Sequence, residues 1–331
     1  MALRRPLVVE RLARVPFVWR LAEPLHAATA SAEHAFYAQI SRNPIGRSRF
    51  RGCAPSLRAV QQHALRDLRQ SGIAILDALE IGLNTDGLAL LLALGERFKS
   101  DVAQFAAGSA EVSPWLAHNG ERLGRYAAGS GRGDDYLIKL LPEGPTLAID
   151  DPLLRVGLDA ALLDVVNSYL GLFAKLIYMD LWHTVPAASA RRIGSQRWHR
   201  DYDDSPMVKA YLYLGDVLPE AGAMEYVRGS HGGGRYANLY PWRQSVSRSA
   251  PDGGVEGRVL ESDRVVTAGP AGTLVLCDTS GLHRGGPTVS GKRVLATWTF
   301  VTPACLLDRR FRVSLGEGWS ELSGPARYAL S

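Results

Sequence analysis

Apolar residues recur at helical spacing in the first half of the chain and gather into short β-prone runs in the second. Leu57, Val60, Ala64, Leu65 and Leu68 share one face of a helix that Ser56 is placed to cap and Gly72 to close. Ile73-Ala74-Ile75-Leu76 then reads as a strand. A second helix is predicted over residues 88–105 and a third over 154–172. Between them, residues 109–135 are rich in glycine and charge and read as a mobile loop of the kind that lids an active site. From residue 175 the pattern changes to strands over 176–182, from 208, over 272–278 and over 293–301. Turns such as Gly232-Gly233-Gly234 and Pro251-Asp252-Gly253-Gly254 separate them, and no repeat of fixed period is visible. Helices first and antiparallel strands afterwards predict an α+β fold, a double-stranded β-helix (the jelly roll of cupin-like proteins) buttressed by helices.

That strand pattern gives meaning to Trp198-His199-Arg200-Asp201. If residues 197–201 are extended, His199 and Asp201 lie two apart and project from one face. Asp203 and Asp204 follow, so a solvated acidic turn is the plain alternative, but Asp201 keeps same-face spacing with His199 at the shortest separation. A third ligand has to arrive from another strand end, and His283, just beyond the run over 272–278, fits that role, with His183 and His231 as competitors. Two neutral imidazoles and one carboxylate leave three adjacent positions on Fe(II), enough for a bidentate oxo acid and dioxygen together. Arg293 opens an apolar strand, and a buried guanidinium suits the far carboxylate of such an oxo acid bidentately. Arg284 is the competing cation, although it adjoins His283 in a loop. From Val208, residues Lys209, Tyr211 and Tyr213 share one strand face, and Val208, Ala210, Leu212 and Leu214 the other. The run over 176–182 does not reveal which of its faces turns inward.

His199-x-Asp201, the distal His283 and Arg293 resemble the signature of Fe(II)/2-oxoglutarate dioxygenases, specifically the phytanoyl-CoA dioxygenase-like group. The connecting text is similar too: the strand from Val208 leads to Gly215-Asp216, then Gly222, and the turn Arg228-Gly229-Ser230-His231 stands where family members usually carry Pro-Gly-Ser-His. The specific likeness spans residues 175–303, with a weaker echo over 56–80. It implies Fe(II) held by His199, Asp201 and His283, with 2-oxoglutarate and dioxygen as cosubstrates and Arg293 on the far carboxylate. It also implies that Tyr211 occupies the place of an aromatic contact to 2-oxoglutarate, where plain sheet packing is the alternative, and that His231 is structural. Related iron halogenases carry a small residue at the carboxylate position, so Asp201 favours hydroxylation of an unactivated C–H bond, with desaturation, cyclisation and epimerisation open to the same oxidant. A cupin-like metal-binding protein without oxygenase activity is the alternative. The expected substrate is a small-molecule or lipid-like metabolite whose identity the likeness does not choose.

Composition narrows the setting. The chain of 331 residues has three cysteines, Cys53, Cys277 and Cys305, with no close pair, which argues against a disulfide framework or thiolate zinc site. No apolar run approaches the roughly eighteen residues needed to span a bilayer, and the start of the chain lacks a signal-peptide core. A reducing cytoplasm is the expected home. The net charge of +5 is not gathered into one long tract, but Arg4, Arg5, Arg11, Arg14 and Arg20, then Arg42, Arg47, Arg49 and Arg51, make the N-terminal arm strongly cationic, so residues 1–55 read as a basic arm and 56–331 as the catalytic domain, its jelly roll mainly in 175–303. No reading helix or aromatic RNA signature accompanies that charge, so nucleic acid is not expected as a partner. Contact of the arm with a membrane surface stays open, as do packing on the core or on a second subunit, and oligomeric state. Arg122, Arg125 and Lys139 precede the strands, and an anionic substrate is one reading of them, solvated surface charge the commoner one.

Overall fold

The computed structural model describes residues 43–331 apart from 107–113, 129, 133, 185, 187–191, 241–249, 251–252 and 315. Most of the expected basic arm therefore lies outside the described residues. Its last part forms helix α1 (Pro44–Gly52), opened by the Asn43 side chain accepting from the Gly46 N–H at 2.8 Å and anchored by Phe50 edge-on to Phe173. Helix α2 (Ala59–Ser71) starts later than the sequence suggests. The Gln61 side chain accepts from the Arg58 N–H at 2.9 Å, and this contact, not the Ser56 hydroxyl, satisfies a free amide of the first turn. Gly72 closes α2 in the left-handed conformation at φ 79°, where a Cβ would also strike the Tyr226 hydroxyl. Strand β1 (Ile73–Asp77) and helix α3 (Thr85–Ala106) follow as expected.

The expected mobile loop over 109–135 is in its described part largely ordered structure. A 3-10 turn (Pro114–Asn119) leads into helix α4 (Gly120–Ala127), with Leu116 fully buried. The Asn119 amide bonds both the N–H and the carbonyl of Lys139 at 3.0 Å, and the Arg125 guanidinium forks onto Asp135 at 2.9 Å, so charged residues that suggested solvent are spent internally. Strands β2 (Leu137–Lys139) and β3 (Thr146–Ala148) come next. The single helix predicted over 154–172 is two, α5 (Pro152–Gly157) and α6 (Ala160–Leu170), because the Asp159 carboxylate accepts from the Ala161 N–H at 2.8 Å and restarts the helix.

The remainder is the strand-rich half: β4 (Lys175–Thr184), β5 (Met207–Tyr213), β6 (Glu225–Val227), β7 (Arg264–Val266), β8 (Thr273–Cys277), β9 (His283–Arg284), β10 (Arg293–Val301) and β11 (Arg312–Ser314), closed by helix α7 (Gly324–Ala329). Six strands form one antiparallel sheet in the order β1-β8-β5-β10-β4-β2, and a smaller sheet runs β7-β6-β9, giving the two layers of a jelly roll. Alternation along the strands decides what each face does. Val208, Ala210, Leu212 and Leu214 with Val294, Ala296, Trp298 and Phe300 turn to the helices and join Leu68, Leu91, Phe98 and Leu153 in the main core. Lys209, Tyr211 and Tyr213 turn the other way, into a cavity between the sheets. Strand β10 is buried at all nine positions because both of its faces are covered.

His183 lies on the helix side of β4, packed edge-on against Phe98, and neither ring nitrogen has a protein hydrogen-bond partner. Burial lowers its pKa to about 4. The unfolded chain takes up a proton below about pH 6.5 while the folded one does not, so this contribution to stability is whole above that pH and is lost as pH falls toward 4. Replacing His183 by Leu should flatten the loss of stability between pH 6.5 and 4, on the order of 3 kcal/mol, in denaturant unfolding measured across that range.

Candidate metal centre

Beyond a bend at Arg197 and Trp198, the chain from His199 to Asp201 is held as the His-x-Asp reading requires, by a single bridge and not by a long strand. His199 and His283 sit directly opposite one another and exchange both backbone hydrogen bonds, at 2.9 and 3.0 Å. Residues so paired send their side chains from the same face, and the two rings lie 4.2 Å apart between centroids. The Asp201 N–H donates to the Thr279 carbonyl at 2.8 Å, so the next outward position also follows the partner segment. The triad is therefore one cross-strand pair and the residue two further on. Ligand atoms of His199, Asp201 and His283 all lie within 4.8 Å of one another, an arrangement able to hold a metal ion.

The tautomers suit that use. Nδ1 of His199 faces the Arg197 carbonyl at 2.8 Å, and Nδ1 of His283 faces the Gly281 carbonyl at 3.0 Å. A carbonyl only accepts, so each Nδ1 carries the proton and each Nε2 presents a lone pair toward Asp201, whose oxygens stand 3.9 Å from Nε2 of His199 and 3.6 Å from Nε2 of His283. Burial, with His199 adding to it, lowers His283 to about 3 and keeps its ring neutral. Burial pushes the Asp201 carboxyl up, but the Lys209 ammonium beside it outweighs this and holds it below the usual carboxylate range. Two neutral imidazoles and a carboxylate are a donor set suited to Fe(II) with positions to spare.

Between the ligands, Arg200 points the opposite way. Its guanidinium is buried and has carbonyls as its hydrogen-bond partners: Tyr240 at 2.8 Å, Ser280 at 2.6 Å, Leu239 at 2.8 Å, Tyr236 at 3.1 Å, Ala237 at 3.2 Å, and Ser230. This cage ties the ligand segment to the glycine-rich turn after His231 and to the loop before His283. Sequence reasoning passed over it, since nothing in a lone arginine between two ligands predicts carbonyl partners.

The cavity beside the triad has a volume of about 410 Å³ and is lined by Tyr211, Arg293, Trp182, Lys139 and Tyr136, among others. Arg293 is 3% exposed; its Nε donates to Thr184 Oγ1 at 3.1 Å and its Nη1 to the Gly222 carbonyl, and it makes no ion pair among the described residues. Arg284, its competitor, is spent elsewhere: it forks onto Glu225 at 3.0 and 2.7 Å, reaches Glu256 at 2.8 Å and lies over the Trp198 ring. Tyr211 faces the cavity near Trp182, and burial raises its hydroxyl well above the ordinary value. The inward face of β4 is now fixed, with Tyr178 and Trp182 in the cavity wall and the Trp182 Nε1–H donating to the Tyr178 hydroxyl at 3.0 Å. His231 lies away from this wall, its Nε2 3.2 Å from the Arg69 carbonyl, and His183 is on the other side of the sheet. Of the three basic residues considered for an anionic substrate, Arg122 and Arg125 are paired with Asp135, and Lys139 alone lines the cavity, over the Trp182 ring. Where the family's proline is replaced, the Arg228 N–H donates to the Asp263 carbonyl at 2.8 Å, a bond proline could not make.

A model of the phytanoyl-CoA dioxygenase (PhyH) family matches residues 143–294, a stretch that contains all three triad residues and Arg293. The region that carries the site is thus similar to the phytanoyl-CoA dioxygenase family. A search of curated proteins found no match. Among solved structures, the apo form of EctD from S. alaskensis is similar at 18% identity and a TM-score of 0.49, over 78% of this chain and 82% of that one. HygX from Streptomyces hygroscopicus, with nickel and 2-oxoglutarate bound, has 15% identity and a TM-score of 0.43, over 77% and 90%. The non-heme alpha ketoglutarate dependent epimerase SnoN from nogalamycin biosynthesis has 17% identity and a TM-score of 0.41, over 73% and 83%. Among the described residues, no helix is long and apolar enough to cross a membrane.

Replacing Arg200 by Met keeps much of the apolar stem but leaves its carbonyls without their donor. Each orphaned buried acceptor costs about 1–3 kcal/mol, so urea unfolding of Arg200→Met should show a loss of at least about 3 kcal/mol, even with water recovering some of the carbonyls.

Proposed function

We propose that this protein is an Fe(II)- and 2-oxoglutarate-dependent oxygenase that hydroxylates an unactivated C–H bond of a small-molecule metabolite. The observation that carries the reading is the convergence of two Nε2 lone pairs and one carboxylate beside a cavity whose far wall holds an arginine with no carboxylate partner among the described residues. Bound ferrous iron would supply the oxidising chemistry, in which dioxygen and 2-oxoglutarate are consumed, succinate and carbon dioxide leave, and substrate C–H becomes C–OH.

The chain's own residues provide what that chemistry needs. His199 and His283 give nitrogen donors whose orientation is set by the carbonyls of Arg197 and Gly281. Asp201 gives an anionic oxygen, and its presence fills the position that a halide would need. Thr184 and the Gly222 carbonyl hold the Arg293 guanidinium from behind, so the rest of its fork is free to receive the distal carboxylate of 2-oxoglutarate. Tyr211 and Leu295 line the same cavity as Arg293 and the triad. The apolar and aromatic lining is interrupted by Asp134, Ser195 and Lys139, which suits a polar metabolite better than a bare alkyl chain. A cytoplasmic setting is consistent with free Cys53, Cys277 and Cys305.

Purified protein supplied with Fe(II), ascorbate and 2-oxoglutarate should form succinate only when dioxygen is present, and chelation should abolish this until Fe(II) is restored. His199→Ala, Asp201→Ala and His283→Ala should each remove both iron binding and succinate formation. Arg293→Met should raise the KM for 2-oxoglutarate about a hundredfold or more, the loss of a buried charge pair of about 3 kcal/mol, with iron affinity unchanged. Triad-dependent metal binding without succinate under any candidate substrate would point to a cupin-like metal-binding protein instead.

A further inference from the structure

We propose that Lys209 is a built-in counter-ion for the metal centre: its ammonium balances Asp201 when no ion is bound, and thereby sets how tightly a divalent ion can bind. The inference rests on the triad being the ligand set. Lys209 lies on β5 in the middle of the large sheet, opposite Cys277 of β8 and Thr299 of β10, on the face it shares with Tyr211. A lysine in a central strand has no route to solvent past its neighbours, so its side chain runs into the cavity, where Nζ stands 2.7 Å from Oδ2 of Asp201. The two side chains are only 13% and 14% exposed, which makes this a desolvated pair and not a surface contact.

No other group can do the same work. Both histidines set Nδ1 against backbone carbonyls, and their Nε2 atoms stand 3.9 and 3.6 Å from the Asp201 oxygens, beyond hydrogen-bond reach. Among the described residues, no other lysine or arginine pairs with it. Without Lys209 the carboxylate would be a buried charge with no partner, which is strongly unfavourable. A divalent ion arriving at the same carboxylate meets a like charge already in place. The contact that keeps the metal-free triad intact therefore also opposes ion entry, and the fold trades metal affinity for a preformed site.

The test compares wild type, Lys209→Met, Lys209→Gln, Lys209→Arg and His283→Ala by Co(II) affinity in chelator competition and by thermal unfolding with and without Co(II). Neither measurement depends on turnover. Lys209→Met should bind Co(II) about tenfold more tightly or better, unfold at a lower temperature without metal, and show a larger metal-induced rise in Tm, while Lys209→Arg should behave as wild type. If Lys209→Met does not fold, Lys209→Gln, near in shape and uncharged, carries the same expectation. Tight, His283-dependent binding in wild type with no gain in the uncharged variants would overturn the role of Lys209 alone. Wild-type protein that binds no Co(II), or binds it regardless of His283→Ala, would overturn the ligand assignment and this inference with it.

Discussion

The guanidinium of Arg200 is the fixed point around which the centre is organised. It is a buried cation with no carboxylate in salt-bridge contact among the described residues, and it is held by carbonyls drawn from residues 230–240 and from Ser280. Side chains alternate along an extended segment, so the residue that points into this cage must send its neighbours, His199 and Asp201, the other way. Gripping Arg200 thus aims both ligands. The Ser280 carbonyl in the cage sits three residues before His283, so the same side chain fixes the origin of the third ligand.

The large sheet completes the arrangement by separating its two duties by face. One face of β5, β8 and β10 is Val, Ala, Leu, Trp and Phe packed on helices, and the opposite face carries Lys209, Tyr211, Arg293 and Thr297. Such a division needs strict register, because a slip of one residue would bury Lys209 against the helices and expose Leu212 to the cavity. The continuous ladder of β10 with β4 on one side and β5 on the other supplies it, and the single irregularity, between Thr299 and Phe300 on the β4 side, lies away from Arg293.

Much of this was legible in the string of residues because it depends on short-range periodicity. Same-face spacing of His199 and Asp201, the strand that begins at Arg293, and the split of Lys209, Tyr211 and Tyr213 from Val208, Ala210 and Leu212 all follow from a period of two. Errors fell where the choice of one side-chain partner decides, which periodicity does not reveal. Residues 120–127 looked solvated until Asp135 absorbed Arg125, Asp159 restarted a helix that hydrophobicity alone would have carried through, and the Gln61 side chain, not Ser56, met a free amide of the first turn. The choice between Arg293 and Arg284 was decided at long range. Only the structure shows Glu225 and Glu256 engaging Arg284 while Arg293 faces the cavity.

Charge explains why the cavity suits an anionic cosubstrate. Asp201 and Lys209 cancel within one contact, burial keeps His283 neutral, and Arg293 is left as a buried positive charge beside open volume. A bound divalent cation would increase that excess, so the centre becomes more electropositive as it is loaded. A dianion with one end on the metal and the other on Arg293 removes the imbalance at both ends, whereas a neutral ligand of the same length would leave the guanidinium uncompensated in a desolvated wall. Cation loading and oxo-acid binding are in this sense one coupled event. The register of β10 against β4 and β5 holds Arg293 at a fixed place in the cavity wall that the triad also lines.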